Sequence, residues 1–105
     1  MPTARPGEVW MVDLGMAAKV RPCLVLTPPP RTDELDVCTV VAHTTSLRGN
    51  RWELPFTKAF LRATGAFDVQ RLAMVPSVKL ERKLGELTRP ELETVLDRLA
   101  ERFGI

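Results

Sequence analysis

The sequence has little with which to build a metal site or a familiar hydrolase site. It contains one histidine, His43, and two cysteines, Cys23 and Cys38, which do not form a Cys-x-x-Cys motif, so no metal-ligand spacing is present. Its six glycines are scattered, which leaves no phosphate-binding glycine loop, and no Gly-x-Ser-x-Gly motif occurs. We therefore expect no metal and no cofactor.

Strong charge and long apolar runs are also missing. Fifteen Lys and Arg stand against thirteen Asp and Glu, a formal net charge of +2, which is too small to indicate nucleic-acid binding by charge alone. No apolar run approaches the ~20 residues that a membrane helix needs, and no signal peptide is apparent. We expect a single cytoplasmic domain over residues 1–105, away from membranes, with both cysteines buried as small hydrophobic side chains.

The first two-thirds of the chain has the composition of β-strands. Runs rich in valine, threonine and leucine are separated by proline, glycine and polar turns. They predict strands over residues 8–14, 20–27, 37–45, 51–56 and 66–75, with a connection over 15–19. Residues 77–84 favour a short helix that Gly85 would end, although part of the segment is also compatible with a strand.

The C-terminal segment changes to helical spacing. Thr88 and Glu91 have the spacing of a capping box, and Pro90 falls in the first turn, where its missing N–H is harmless. Gly104 is expected to end the helix. The apolar residues predicted to share its buried face are Leu92, Val95, Leu96, Leu99 and Phe103. Strands followed by one helix indicate a mostly β protein of the α+β class, or a small barrel closed by a helix.

Polar side chains at the predicted strand ends are the candidates for chemistry. Arg21 stands at the start of the second strand, and residues 43–46 (HTTS) end the third. A guanidinium with nearby hydroxyls suits phosphate, because its N–H groups match two phosphate oxygens. Plainer interpretations stay open: Arg21 could reach solvent or pair with Asp13, the hydroxyls could satisfy a turn, and His43 could be structural.

Four segments, taken in chain order, resemble one family. They are residues 6–14 (PGEVWMVDL), 20–26 (VRPCLVL), 40–45 (VVAHTT) and 84–88 (LGELT), the last followed by the closing helix. Each segment is a short motif, but together they cover nearly the whole chain. In this order they resemble the MazF/PemK-type toxins (Kid/PemK) of type II toxin–antitoxin systems.

This resemblance implies an SH3-like curled antiparallel barrel with a C-terminal helix, usually assembled as a homodimer. It implies a sequence-specific endoribonuclease that cuts single-stranded RNA without a metal. In that reaction the ribose 2′-OH attacks the adjacent phosphate, leaving a 2′,3′-cyclic phosphate and a 5′-OH. It also implies a cognate antitoxin, typically a flexible acidic segment that lies over the RNA groove.

The family's catalytic arginine and threonine match Arg21 and Thr44. Arg21 would stabilise charge on the phosphorane, and Thr44 would hold a phosphate oxygen or the 2′-OH in line. Further candidates for catalysis or RNA binding are His43, Thr45, Ser46, Lys19, Arg48, Arg51 and Arg71. The general base stays open, because strand alternation directs His43 to the face opposite Thr44.

The sequence departs from the family pattern in several places. The connection over residues 15–19 is shorter than in many members, so an RNA sequence preference does not carry over. Residues 73–76 (AMVP) lack the arginine and aspartate that many members have there, which puts a second catalytic arginine in doubt. Two alternatives therefore remain: a non-catalytic toxin on the same fold, as in gyrase poisons, and an inactive homologue that serves as a protein-interaction module.

Overall fold

One antiparallel sheet and one helix make up the computed structural model, which describes residues 3–15 and 19–105. The strands are β1 (Glu8–Asp13), β2 (Val20–Val25), β3 (Val37–Thr44), β4 (Glu53–Leu54), β5 (Ala66–Pro76) and β6 (Leu80–Glu86), and helix α1 spans Arg89–Arg102. The strand order is β4-β5-β3-β2-β1-β6. The predicted fold class, an α+β fold with an SH3-like curled antiparallel barrel and a C-terminal helix, is confirmed, with the difference that the sheet of the described residues is not closed and has β4 and β6 as its edges.

The first three strands form a meander, and the later strands extend it on both sides. β2 pairs with β1 and β3, β5 pairs with β3, and β6 returns to pair with the outer edge of β1. The β1–β6 ladder shifts register twice, and the β3–β5 ladder shifts once between Val41 and His43. Such irregularities bend a strand and increase its twist, which accounts for the curl of the sheet.

Apolar side chains pack on both faces of the sheet. Because side chains alternate along a strand, Val9 and its partner Leu24 lie on one face, while Val12 and Cys23 lie on the other. The first face packs around Phe67 and receives the apolar stripe of α1. Burial on both faces explains why the strands read as near-continuous apolar runs.

Helix α1 begins as the sequence predicts. The Thr88 hydroxyl accepts a hydrogen bond from the Glu91 amide, and the Glu91 carboxylate accepts one from the Thr88 amide. The buried stripe is narrower than predicted. Leu92, Val95 and Leu99 are buried, whereas Leu96 is 40% and Phe103 60% exposed. Leu96 lies at the edge of the stripe, and Phe103 follows the last helical residue, Arg102, as the C-cap.

Two predicted segments differ in the structure. The fourth strand is limited to Glu53–Leu54, and the helix predicted over residues 77–84 is wrong beyond one 3-10 turn, Ser77–Lys79. The chain then continues as β6 through Gly85, because pairing with β1 overrides the local preference. Gly85 does not end an element; the Phe60 ring lies against it, and a Cβ there would approach Phe60 Cε2 to 2.4 Å.

Both cysteines are buried and free, as predicted. Burial raises the pKa of Cys23 to about 12, so its thiol is protonated and unreactive at neutral pH. The connection predicted over residues 15–19 includes 16–18, which lie outside the described residues. None of the helices in the described ranges is long and apolar enough to span a membrane.

Candidate functional site

The structure brings Arg21 and Thr44 together at the ends of adjacent strands. Cys23 of β2 pairs with Ala42 of β3, so in an antiparallel ladder the residues two further along, Arg21 and Thr44, lie opposite each other on the same face. Arg21 Nη1 donates a hydrogen bond to Thr44 Oγ1 at 3.4 Å. The Ser46 amide also donates to Thr44 Oγ1, at 3.0 Å. The Thr44 side chain, 1% exposed, therefore anchors both the guanidinium and the turn after β3.

A cavity of about 420 Å³ opens beside this pair. It is lined by Met11, Val20, Arg21, Pro22, His43, Thr45, Phe60, Arg62, Arg82 and Leu84. We call it the arginine cavity, because three of its lining residues are arginines and none is an aspartate or glutamate. A concave site of one charge sign focuses its field, so this cavity favours an anionic ligand.

Strand pairing explains how distant residues meet at this cavity. Met11 lies opposite Pro22 of β2 on one side and Arg82 of β6 on the other. Residues that face each other across a ladder share one face of the sheet. Arg62 comes from the segment between β4 and β5, where the preceding Leu61 is buried in the core. With His43 and Thr45 at the end of β3, the site is assembled from five parts of the chain.

His43 lines the arginine cavity but faces away from Thr44. Its ring stands edge-on to Phe67, with 5.1 Å between centroids, and it is 4% exposed. Its Nε2 atom is buried and has no hydrogen-bond partner among the described residues. Burial lowers the pKa of His43 from its ordinary value of 6.5, so the imidazole is neutral at pH 7.

The titration of His43 can be followed without ambiguity, because it is the single histidine of the chain. We expect its imidazole NMR resonance to titrate with a midpoint below 6.5 in the folded protein and near 6.5 in denaturant. The unfolded state then binds more protons below pH 6.5. His43 therefore contributes stability that is full above that pH and is lost as the pH falls toward the folded-state pKa. A folded midpoint at or above 6.5 would contradict the buried environment.

Gly65 fixes the position of this imidazole. A Cβ at position 65 would approach His43 Cε1 to 2.1 Å and the Thr44 carbonyl oxygen to 2.9 Å. We expect Gly65→Ala to lower the free energy of unfolding by about 1–3 kcal/mol, measured by urea denaturation, because the ring or the end of β3 must move.

A double-mutant cycle with His43→Ala shows whether the His43 ring is the group that the methyl group of Gly65→Ala displaces. If the imidazole resists the added methyl group, the two changes together should cost less than the sum of the single changes by about 0.5–3 kcal/mol. Strict additivity would show that the imidazole is not what Gly65 accommodates.

The other predicted site residues are dispersed. Thr45 lines the arginine cavity and Ser46 contacts Thr44 through its amide. Lys19, Arg48 and Arg51 do not line this cavity. Arg51 instead pairs with Glu101 of α1 at 2.9 Å and lies over the Trp52 ring.

Arg71 lies in a second cavity of about 570 Å³, which Arg21 also lines. The Arg71 Nε atom is 3.5 Å from Asp68 Oδ2, so this guanidinium is held by a carboxylate. Leu72 and Met74 give the second cavity apolar walls, and Met74 is 66% exposed. Arg21 thus lines both the arginine cavity and a second cavity that combines two arginines with apolar walls.

Sequence reasoning missed two of the arginines in the arginine cavity, Arg62 and Arg82. Arg82 belongs to residues 77–84, for which the sequence favours a short helix although part of the segment is compatible with a strand. A local signal was present, because residues 80–86 (LERKLGE) carry the Gly and charged positions that are typical of an edge strand. Arg62 has no comparable signal in its own segment.

No group of three or more histidine, cysteine, aspartate or glutamate side chains is placed to hold a metal ion within residues 3–15 and 19–105.

Solved structures share this fold over nearly the whole chain. An endoribonuclease in complex with its cognate antitoxin from a mycobacterial species aligns with a TM-score of 0.79 and 22% identity, covering 97% of this chain and 96% of the other. MazF in a MazE–MazF complex from Deinococcus radiodurans gives 0.81 at 16% identity, covering 100% and 99%. The Mycobacterium tuberculosis toxin MazF-mt6 gives 0.77 at 24% identity, covering 93% and 97%. At these identities the likeness establishes the fold. No curated protein sequence matches the chain significantly.

The family comparison defines the class, a toxin of type II toxin–antitoxin systems. The model of the PemK-like, MazF-like toxin family matches residues 5–103. The chain therefore belongs to this family.

Proposed function

We propose that this toxin is a metal-independent endoribonuclease that cleaves single-stranded RNA at specific sequences. The observation that carries the proposal is the 3.4 Å contact of Arg21 with Thr44, because Arg21 also lines the arginine cavity. A non-catalytic binding toxin has no need of a guanidinium oriented in this way beside an anion-binding cavity. The family's catalytic arginine and threonine match these same two positions.

The proposed reaction is an internal transesterification. The 2′-oxygen of a ribose attacks the adjacent phosphorus, so that the O2′–P bond forms and the P–O5′ bond breaks. The 2′-OH loses its proton to a base, and the departing O5′ takes up a proton. The products are a 2′,3′-cyclic phosphate and a 5′-OH, and negative charge accumulates on the non-bridging oxygens in the transition state.

Arg21 would stabilise that developing charge. A guanidinium stays protonated at every physiological pH and presents two parallel N–H donors to phosphate oxygens. Stabilisation of transition-state charge by preorganised donors is the largest contribution that a site of this kind offers. We assign this electrostatic role to Arg21 and do not ask it to give up a proton, because a guanidinium is too weak an acid to lose one readily.

Thr44 would act as the positioning residue for Arg21. Its hydroxyl oxygen accepts from both the Arg21 guanidinium and the Ser46 amide, and a threonine hydroxyl has two acceptor positions and one donor. Because Thr44 is only 1% exposed, we assign it the orientation of Arg21 and no direct contact with the RNA. Holding Arg21 in one orientation removes the cost of ordering this long side chain when RNA binds.

We also propose a cognate antitoxin and a homodimer. The mycobacterial endoribonuclease and the Deinococcus MazF were each solved with an antitoxin. An acidic antitoxin segment suits a cavity lined by three arginines and no carboxylate. The exposed Leu72 and Met74 of the second cavity give a second copy an apolar surface beside Arg21. A monomer mass in light scattering at micromolar concentration would rule out the dimer.

The proposal is tested by incubating the purified protein with single-stranded RNAs of varied sequence in EDTA. We expect cleavage that persists in EDTA, with products that end in a 2′,3′-cyclic phosphate and a 5′-OH. RNA that stays intact across all substrates would overturn the endoribonuclease proposal. Cleavage that EDTA abolishes would overturn the metal-independent mechanism alone.

A further inference from the structure

We propose that Arg62 and Arg82 bind backbone phosphates on either side of the phosphate that Arg21 engages, so that the arginine cavity holds several successive phosphates of one RNA strand. This inference rests on the proposed endoribonuclease function and names the part of the substrate that two unassigned residues contact. The second arginine missing from residues 73–76 would thus be replaced, for binding, by arginines from other elements.

The charge distribution points to these two residues. Seven of the fifteen Lys and Arg side chains are held in ion pairs within the described ranges: Arg51, Lys58, Arg71, Lys79, Lys83, Arg89 and Arg98. No ion pair or side-chain hydrogen bond joins Arg62 or Arg82 to another described residue. Other cationic side chains, such as Arg5, Arg31 and Arg48, also form none of these ion pairs, but Arg62 and Arg82 are exposed and line the arginine cavity as well. An anion that enters this cavity therefore meets two guanidiniums with no carboxylate partner among the described residues.

The backbones of both arginines are fixed by the fold. Arg82 lies within β6, opposite Met11. Arg62 follows the buried Leu61, and its carbonyl oxygen accepts a hydrogen bond from the Gly65 amide at 3.1 Å. The Phe60 ring, which lies against Gly85, ties this segment to β6. Both guanidiniums therefore extend from backbone positions that the fold holds in place, and both line one cavity.

Phosphates are the chemistry that this arrangement fits. The two parallel N–H donors of an arginine match two oxygens of a phosphate. Contacts to phosphates set the position of a nucleic acid without depending on its base sequence. Arg21, Arg62 and Arg82 come from three separate elements and line the same cavity. That placement suits a chain of regularly spaced charges better than a single small anion.

The test measures binding of a single-stranded 2′-O-methyl oligonucleotide, which lacks the attacking hydroxyl and cannot be cut. Fluorescence anisotropy over a series of salt concentrations gives the slope of log K against log salt. We compare Arg62→Gln and Arg82→Gln with Arg31→Gln, a matched control in the exposed loop before β3 that does not line the arginine cavity. Each phosphate contact that is lost should reduce the slope by about 0.7.

We expect each cavity variant to bind about tenfold more weakly, as for a lost charge-assisted hydrogen bond, whatever the oligonucleotide sequence, with the slope reduced by about 0.7. Arg31→Gln should match the wild type, and the thermal midpoint of all three should be unchanged. Unchanged slopes for Arg62→Gln and Arg82→Gln would overturn this inference, even if the wild type cleaves RNA. A wild type that neither binds the oligonucleotide nor cleaves RNA would overturn this inference and the proposed function together.

Discussion

Replacing Arg21 with alanine is expected to lower the rate of RNA cleavage by about 100- to 1,000-fold. The change removes the guanidinium that contacts Thr44 and lines the arginine cavity, and with it the donors aimed at the charge that forms on the phosphate. The measurement is the single-turnover rate on a defined RNA at saturating protein, so that weaker binding does not contribute. Growth inhibition on expression should disappear in the same variant.

Two further variants make this result specific to Arg21. Arg21→Lys keeps the charge but loses the two parallel donors, so its rate should lie between those of the wild type and Arg21→Ala. Arg89→Ala removes an arginine whose side chain is 78% exposed on α1, and it should leave the rate unchanged. If Arg21→Ala keeps the wild-type rate while remaining folded, Arg21 is not the catalytic centre and the proposed mechanism is wrong.

Replacing Phe67 with alanine is expected to lower the free energy of unfolding by about 3–5 kcal/mol. Phe67 is fully buried in the core between the sheet and α1. Its ring contacts His43 edge-on and packs near Phe56. Small domains have about 5–15 kcal/mol in total, so the substitution should remove a substantial part of the stability of the protein. Urea denaturation followed by circular dichroism measures the change, and Phe67→Leu supplies a milder variant should the alanine form fail to fold.

The chain offers a matched control for this substitution. Phe103→Ala removes the same side chain from a position that is 60% exposed after the end of α1, and it should change stability by no more than about 0.5 kcal/mol. Equal losses for the two variants would show that Phe67 does not hold the core together.

Substitutions at Phe67 and Phe103 also differ in their expected effect on the titration of His43. The Phe67 ring supports His43 from one side, and Gly65 confines it from the other. A folded Phe67→Leu protein should therefore show an altered His43 titration, whereas Phe103→Ala should not.

Local patterns determined most of the elements and placed Arg21 and Thr44 at strand ends, while the resemblance to the family supplied these two residues as a pair. The capping box at Thr88 and Glu91 sets the start of α1 through contacts within one turn. Arg21 and Thr44 sit at strand ends that the apolar runs predict, and the two-residue alternation of strands correctly separates Thr44 from His43. These features depend on neighbours in sequence, so the sequence alone predicts them.

Only the tertiary structure decided what surrounds that pair. β6 forms where a helix was predicted, because its hydrogen bonds go to β1, some 70 residues earlier in the chain. That pairing places Arg82 at the arginine cavity. The packing of Phe60 against Gly85 places Arg62 there as well. Arg51, a candidate site residue from the sequence, instead forms an ion pair with Glu101 and lies over the Trp52 ring. Contacts between residues far apart in sequence depend on strand register and side-chain packing, and neither is encoded in the spacing of residues along any one segment.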